Sequence, residues 1–123
     1  MAHLAIALPC LPGGADKLRD LARECSGPRQ AEFEDFHRRL GLSAERWFLQ
    51  QTPQGDLCIV TLEGDPAGAM ARLGSSQHPF DVWFREAVKG VHGVDFAAPL
   101  PGPAPVQVFE SADSATTGLA HRG

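Results

Sequence analysis

The 123-residue chain contains no tyrosine and no asparagine. The missing tyrosine excludes a phenolic side chain as the acid of any site that the protein builds. Basic residues do not cluster, because the longest basic run is Arg38-Arg39 and the formal net charge is −4. Nucleic-acid-binding surfaces carry basic patches, often with interleaved aromatic residues, so we expect no nucleic-acid partner.

Long apolar runs are also missing, so we expect no membrane span. The apolar start of the chain lacks a basic leader and favours a first strand over a signal peptide. The three cysteines, Cys10, Cys25 and Cys58, are far apart and form no CxxC pair. This spacing is typical of reduced thiols and predicts a cytoplasmic protein. Each cysteine is most simply a small buried hydrophobic residue.

Several sequence motifs of catalysis are missing as well. The chain has no GxSxG elbow, no phosphate-binding loop and no dinucleotide fingerprint. It also lacks the short metal-ligand spacings HxH and HExxH, so no metal site is predicted.

The length predicts one domain over residues 1–110, followed by a small, polar and disordered tail over 111–123. Hydrophobic periodicity and turn residues predict the elements within that domain. They are a strand at 3–8, helices at 15–25 and 29–42, a hairpin at 45–64 with its turn at 52–56, helices at 65–74 and from 79, an extended Pro-rich connector at 97–105, and a strand at 106–110. Asp65 and Pro66 form a typical helix start, and Gly41 a typical helix end.

This order is β-α-β-β-α-β with split helices, which predicts an α+β, ferredoxin-like fold with a four-stranded antiparallel sheet. The strand segments LAIAL (4–8) and LCIVTL (57–62) are apolar on both faces. Helices cover only one face of such a sheet, so something else must cover the other. A second copy packed sheet to sheet would do so, and predicts a homodimer. The alternative is that the Pro-rich segment or the tail folds back over the sheet.

Two blocks, RWFLQQTPQGDLCIVTLEGDP (46–66) and SSQHPFDVWFREAVKGVHGVD (75–95), strengthen this prediction. With the element order over 3–110, they resemble the dimeric α+β barrel superfamily, which includes antibiotic-biosynthesis monooxygenases, haem-degrading monooxygenases, muconolactone isomerase and relatives of chlorite dismutase. They also resemble a narrower, uncharacterised family of short proteins. The resemblance implies a homodimer of ferredoxin-like subunits, each with a pocket between its own sheet and helices.

His92 is the first candidate for chemistry, because it flanks the apolar stripe at the last turn of the final helix. It is either a helix-end residue that bonds the last carbonyls or a general acid or base near neutral pH. The resemblance adds a third interpretation, since haem-degrading members bind iron through a histidine late in the second helical region. Those members also carry an asparagine on the first strand, which this sequence lacks.

Other residues would complete a pocket around His92. His37 shares an apolar helix face with Phe33 and is either a core residue or a second polar group in the pocket. Asp95 either orients His92 or caps the turn. Either His37 or a hairpin glutamine, Gln50 or Gln51, would polarise a substrate. The predicted substrate-binding residues are Trp47, Gln51, Gln50, Trp83, Phe33 and Cys58. Asp81 and Arg85, at i and i+4, are predicted to form a surface ion pair.

These residues favour a cofactor-independent enzyme that acts on a hydrophobic, oxygenated small molecule. Its reaction would be of isomerase, lyase, cyclase or monooxygenase type, with His92 moving a proton. The alternatives are a haem-binding protein with His92 as axial ligand, and a non-catalytic accessory protein that binds a small molecule. The expected partners are a second copy of the chain and a small hydrophobic organic substrate.

Overall fold

A central strand, β3, organises the fold of this α+β protein. The computed structural model describes residues 2–98 and 102–112. They form one three-stranded antiparallel sheet and four helices. The elements are β1 (Ala2–Pro9), α1 (Gly14–Ser26), α2 (Gln30–Leu40), β2 (Leu42–Thr52), β3 (Gly55–Gly64), α3 (Pro66–Ser75) and α4 (Pro79–His92). Among the described residues, no helix has the length and apolar character needed to cross a membrane.

The sheet order is β1-β3-β2, so β1 and β2 are both edge strands. On β3, Cys58 and Leu62 are buried beneath the helices, and Val60 lies between them on the same face. Val60 is opposite Ile6 on β1 and Trp47 on β2. This register places the apolar side chains of three strands under one layer of helices.

The helix boundaries follow local signals. Asp65 caps α3, because its carboxylate accepts a hydrogen bond from the backbone N–H of Gly68 at 3.2 Å. Gly41 ends α2 in the left-handed conformation, with φ of 85°. The side chain of His78 caps α4 by accepting from the N–H of Phe80. The Asp65 and Gly41 signals confirm the predicted ends of two helices.

The predicted fourth strand at 106–110 is wrong, because these residues form no ladder. Val106, Val108 and Phe109 are almost fully exposed. The chain passes beside β1 before it reaches them, since His92 bonds Pro9 at one end of β1 and Gln107 bonds His3 at the other. Pro103 and Pro105 lie along β1, and proline has no N–H to donate.

The segment that would have to pair with β1 is therefore rich in proline. The β-forming residues 106–110 come after this segment, beside the first residues of β1. The predicted disordered tail at 111–123 lies outside the described residues, except for Ser111 and Ala112, which have no regular structure.

The sheet face opposite the helices carries apolar side chains. Phe48 is 52% exposed there, and Ile59 beside it on the central strand is half-buried. Ala5 and Ala7 of β1 are exposed on the same face. Within the described residues, this outer face has no helix packed on it.

A buried ion pair joins α2 to α4. Asp81 is 0% exposed and accepts two hydrogen bonds from the Arg39 guanidinium, at 2.8 and 2.9 Å, and one from the Ser76 hydroxyl at 2.6 Å. The predicted surface pair of Asp81 with Arg85 is wrong. Arg85 instead donates to the carbonyls of Leu73 and Ser76, at the end of α3.

The pKa of Asp81 reflects this environment. Burial alone would raise it, but the hydrogen bonds from Arg39 and Ser76 outweigh burial and hold the pKa below its usual value. The carboxylate therefore stays ionised, and removing it would leave Arg39 facing the protein interior with fewer partners.

We expect Asp81→Ala to lower the free energy of unfolding by about 3 kcal/mol, because it breaks a buried, hydrogen-bonded pair. Chemical denaturation at neutral pH measures this loss. The matched control is Asp35→Ala, since Asp35 bonds the same guanidinium at 2.8 Å from a half-exposed position. Equal losses in the two variants would contradict the assigned role of Asp81.

Candidate functional site

A small cavity, which we call the central cavity, lies between the sheet and the helices. Its volume is about 50 Å³. Most of its lining is apolar and comes from β1, β3, α1 and α4. The ionisable residues in its lining are Cys58, His92 and Glu45. The cavity is smaller than a typical ligand site.

His92 is oriented by the end of β1. Its Nδ1 lies 2.7 Å from the carbonyl oxygen of Pro9. Because a carbonyl only accepts hydrogen bonds, Nδ1 carries the proton and the neutral ring leaves a lone pair on Nε2. Among the described residues, none bonds Nε2. Burial lowers the pKa of His92 below 6.5, and the bond to Pro9 opposes this shift only in part. His92 is therefore neutral at pH 7.

Glu45 is the functional candidate that the sequence reasoning missed. Its side chain is only 9% exposed. Oε1 accepts from Nε2 of His37 at 2.8 Å, and Oε2 accepts from the indole N–H of Trp47 at 2.7 Å. A signal for it was present, because Glu45, Trp47 and Leu49 alternate along β2 and share one face. An acidic residue on that apolar face needed buried partners.

A groove between α1 and β2, which we call the α1–β2 groove, lies outside the cavity. It has two sections of about 310 and 420 Å³, and Ala22 and Trp47 line both. Leu18 and Gln51 line one section, and Phe33 lines the other. Trp47, Glu45 and Leu18 each line both the groove and the central cavity, so these three side chains form the wall between them.

The structure separates the predicted site residues into groups. Trp47 and Cys58 line the central cavity with His92. His37 does not line it, but donates a hydrogen bond from α2 to Glu45, which does. Trp83 lies on the outside, in a surface depression between α1 and α4, where the Arg29 guanidinium stacks on its ring at 4.0 Å.

Two further predicted residues lie away from the cavity. Gln50 is exposed on the outer face of the sheet, whereas its neighbour Gln51 is on the opposite face. Asp95 accepts a hydrogen bond from the N–H of Ala97 at 2.9 Å and so caps a turn. The suggestion that Asp95 orients His92 is wrong, since Pro9 does this.

The buried thiols are poor nucleophiles. Burial first, and the nearby Glu45 carboxylate second, raise the pKa of Cys25 to about 12. Burial likewise raises the pKa of Cys58 to about 11, with smaller contributions from Cys10 and Glu45. A thiol with so high a pKa is protonated at neutral pH and does not attack carbonyls. Cys58 therefore contributes shape to the cavity wall.

In the described part of the chain, no group of three or more His, Cys, Asp and Glu side chains is placed to hold a metal ion. Neither a protein-family model, nor a curated protein sequence, nor a solved structure matches the chain. Any assignment of function therefore depends on the geometry of His92 and Glu45.

The lowered pKa of His92 makes stability depend on pH. The unfolded chain binds a proton near pH 6.5, whereas the folded chain binds it only at lower pH, so folding is weakened as the pH falls below about 6.5. We expect His92→Gln to show a smaller loss of unfolding free energy between pH 7.5 and 5.5, roughly the window that brackets the histidine pKa.

Denaturant titrations at both pH values measure this difference. Val82→Gln, at an exposed apolar residue of α4, is the control and should keep the pH dependence of the original protein, because it changes no ionisable group. A His92→Gln variant with that same pH dependence would contradict the pKa shift.

Proposed function

We propose that this protein is a cofactor-independent enzyme that moves a proton on a hydrophobic, oxygenated small molecule. One observation carries the proposal: a neutral imidazole with a lone pair on Nε2 and a buried carboxylate line the same apolar cavity. A neutral histidine near physiological pH is a suitable general base. Perturbed ionisable groups in an apolar cavity are typical of functional sites.

The proposed step begins with Nε2 of His92 taking a proton from a carbon next to a carbonyl group. The electron pair of the broken C–H bond forms a carbon–carbon double bond, and the π pair of the carbonyl moves onto its oxygen, which gives an enolate. Return of the proton at another position would complete an isomerisation. Loss of a leaving group or reaction with dioxygen would instead give a lyase or a monooxygenase. All these reaction types share the first proton transfer, which is the step assigned to His92.

The size of the site determines how such a substrate would bind. Ligand pockets usually measure about 300–1,000 Å³, and the central cavity measures about 50 Å³. The cavity accommodates the reacting group only, so the rest of the substrate would lie in the α1–β2 groove. The apolar part of that groove, Leu18, Ala22, Phe33 and Trp47, would hold an apolar body, and its polar residues include Arg19, Gln30 and Glu34.

The two alternatives fit less well. The lone pair on Nε2 of His92 would suit an axial haem ligand, but the closed cavity of about 50 Å³ has no space for a haem macrocycle. A non-catalytic accessory protein would bind its ligand without proton transfer. The pairing of His37 with Glu45 is compatible with that role.

We expect wild-type protein to accelerate deuterium incorporation next to the carbonyl of an aryl ketone, with phenylacetone in D₂O as the probe. His92→Ala should lower this rate by about 10²–10⁴-fold, the usual contribution of a general base. Proton NMR measures the loss of the signal. Asp95→Asn is the control and should exchange at the original rate, because Asp95 caps a turn.

Exchange that persists in a folded His92→Ala variant would contradict the role of His92. No acceleration by the wild type would overturn the enzyme proposal and favour the accessory protein.

We also propose that the subunit is ferredoxin-like, belongs to the dimeric α+β barrel superfamily, and pairs with a second copy through the outer face of its sheet. The sheet order β1-β3-β2, with the two helical regions on one face, supports the subunit fold. The exposed Phe48 and the half-buried Ile59 on the opposite face support the pairing. Monomers rarely leave such an apolar sheet face in water.

We expect Phe48→Glu to convert the dimer into a monomer of 13.2 kDa, since it would place a charge in the interface. Sedimentation velocity measures the mass in solution. Val82→Glu, at an exposed apolar residue of α4, is the control and should leave the dimer intact. A wild-type monomer would contradict the proposed pairing.

A further inference from the structure

We infer that Trp47 is the gate of the central cavity, and that the ligand is a flat apolar molecule whose hydroxyl replaces the Trp47 indole N–H on Glu45. This inference deepens the proposed function and rests on its site. It names the path of entry and a chemical feature that the ligand must have.

The wall position of Trp47 is the first observation. Its ring lines the central cavity and both sections of the α1–β2 groove. The cavity of about 50 Å³ is closed towards the groove by this ring, by Glu45 and by Leu18. Movement of the ring would join the cavity to groove sections of about 310 and 420 Å³. The joined space would lie within the usual size of a ligand pocket.

The second observation is the polar attachment of the ring. Trp47 is half-buried on β2, an edge strand of the sheet that the described residues form. Its ring packs against both core clusters, and lies 6.3 and 6.2 Å from the rings of Phe33 and Phe84. Its indole N–H donates to Oε2 of Glu45 at 2.7 Å. The ring turns outward only when this bond breaks, so a group that takes the place of the N–H on Glu45 favours the open position.

Hydrogen-bond balance then selects the ligand. When the ring turns outward, Oε2 of Glu45 loses its donor while His37 still holds Oε1. A buried carboxylate oxygen without a donor is costly. A ligand hydroxyl restores the lost bond, whereas a hydrocarbon of the same shape does not. A phenol or an enol combines that hydroxyl with a flat apolar body.

The gate is tested by the rate at which N-ethylmaleimide modifies Cys58, read by peptide mass spectrometry. Cys58 lines the cavity and is 1% exposed, so its modification requires an opening. Trp47→Ala should raise this rate by about tenfold or more, because it leaves the wall open. Trp83→Ala is the matched control, since Trp83 lies on the outside between α1 and α4.

Trp47→Phe adds a variant that keeps the ring and removes the N–H. It should also speed the modification, by less than Trp47→Ala, and it preserves the packing if the alanine variant does not fold. An unchanged rate in folded Trp47→Ala and Trp47→Phe, or an equal rise in Trp83→Ala, would overturn the gate.

The ligand class is tested by equilibrium dialysis with 2-naphthol and with naphthalene, which has the same rings but no hydroxyl. The protein should bind 2-naphthol more tightly by about tenfold or more, the size of one hydrogen bond to a charged group. Glu45→Gln should remove most of that preference. Equal binding of the two probes, or no binding of 2-naphthol, would overturn the inference.

Failure of the gate and failure of the proposed function are distinguishable. If only the gate is wrong, His92→Ala still lowers the rate of deuterium exchange, but the rate of Cys58 modification is the same in the Trp47 variants as in the wild type. If only the proton transfer is wrong, the Trp47 variants still change the rate of Cys58 modification and the protein still prefers 2-naphthol. The rate of deuterium exchange is then the same in His92→Ala as in the wild type.

Discussion

The buried pair of Asp81 with Arg39 is the constraint on which the rest of the molecule depends. It joins α2 to α4, and each of these helices carries one of the histidines of interest. His37 reaches Glu45 from α2, and His92 reaches Pro9 from α4. A shift between the helices would move both contacts and also the rings of Phe36, Phe80 and Phe84, which pack together between them.

Glu45 connects this scaffold to the proposed chemistry. Its carboxylate is stabilised by donors from a helix and from its own strand, so it can remain buried beside an apolar cavity. Of its two donors, His37 comes from α2 and Trp47 from the same strand as Glu45. One oxygen of this carboxylate therefore ties β2 to α2, and the other is the oxygen to which we assign the ligand hydroxyl.

Local signals made much of the fold predictable. The Asp65-Pro66 start, the Gly41 end and the hairpin turn depend on neighbouring residues, so the sequence predicts them well. Contacts between distant residues were harder. Asp81 pairs with Arg39, 42 positions away, and not with Arg85 four positions away. Glu45 was missed because its donors come from two elements. The β-forming residues at 106–110 predict a strand, but they come only beside the first residues of β1, where no ladder forms.

The prolines beside β1 have a consequence for how the chain avoids aggregation. An unpaired edge strand is a template on which another chain can add a strand. Pro103 and Pro105 line a pocket together with β1 and offer no donors for a ladder. A strand that approached this edge would first have to displace the Pro-rich segment. Open-ended strand addition at β1 is thereby disfavoured.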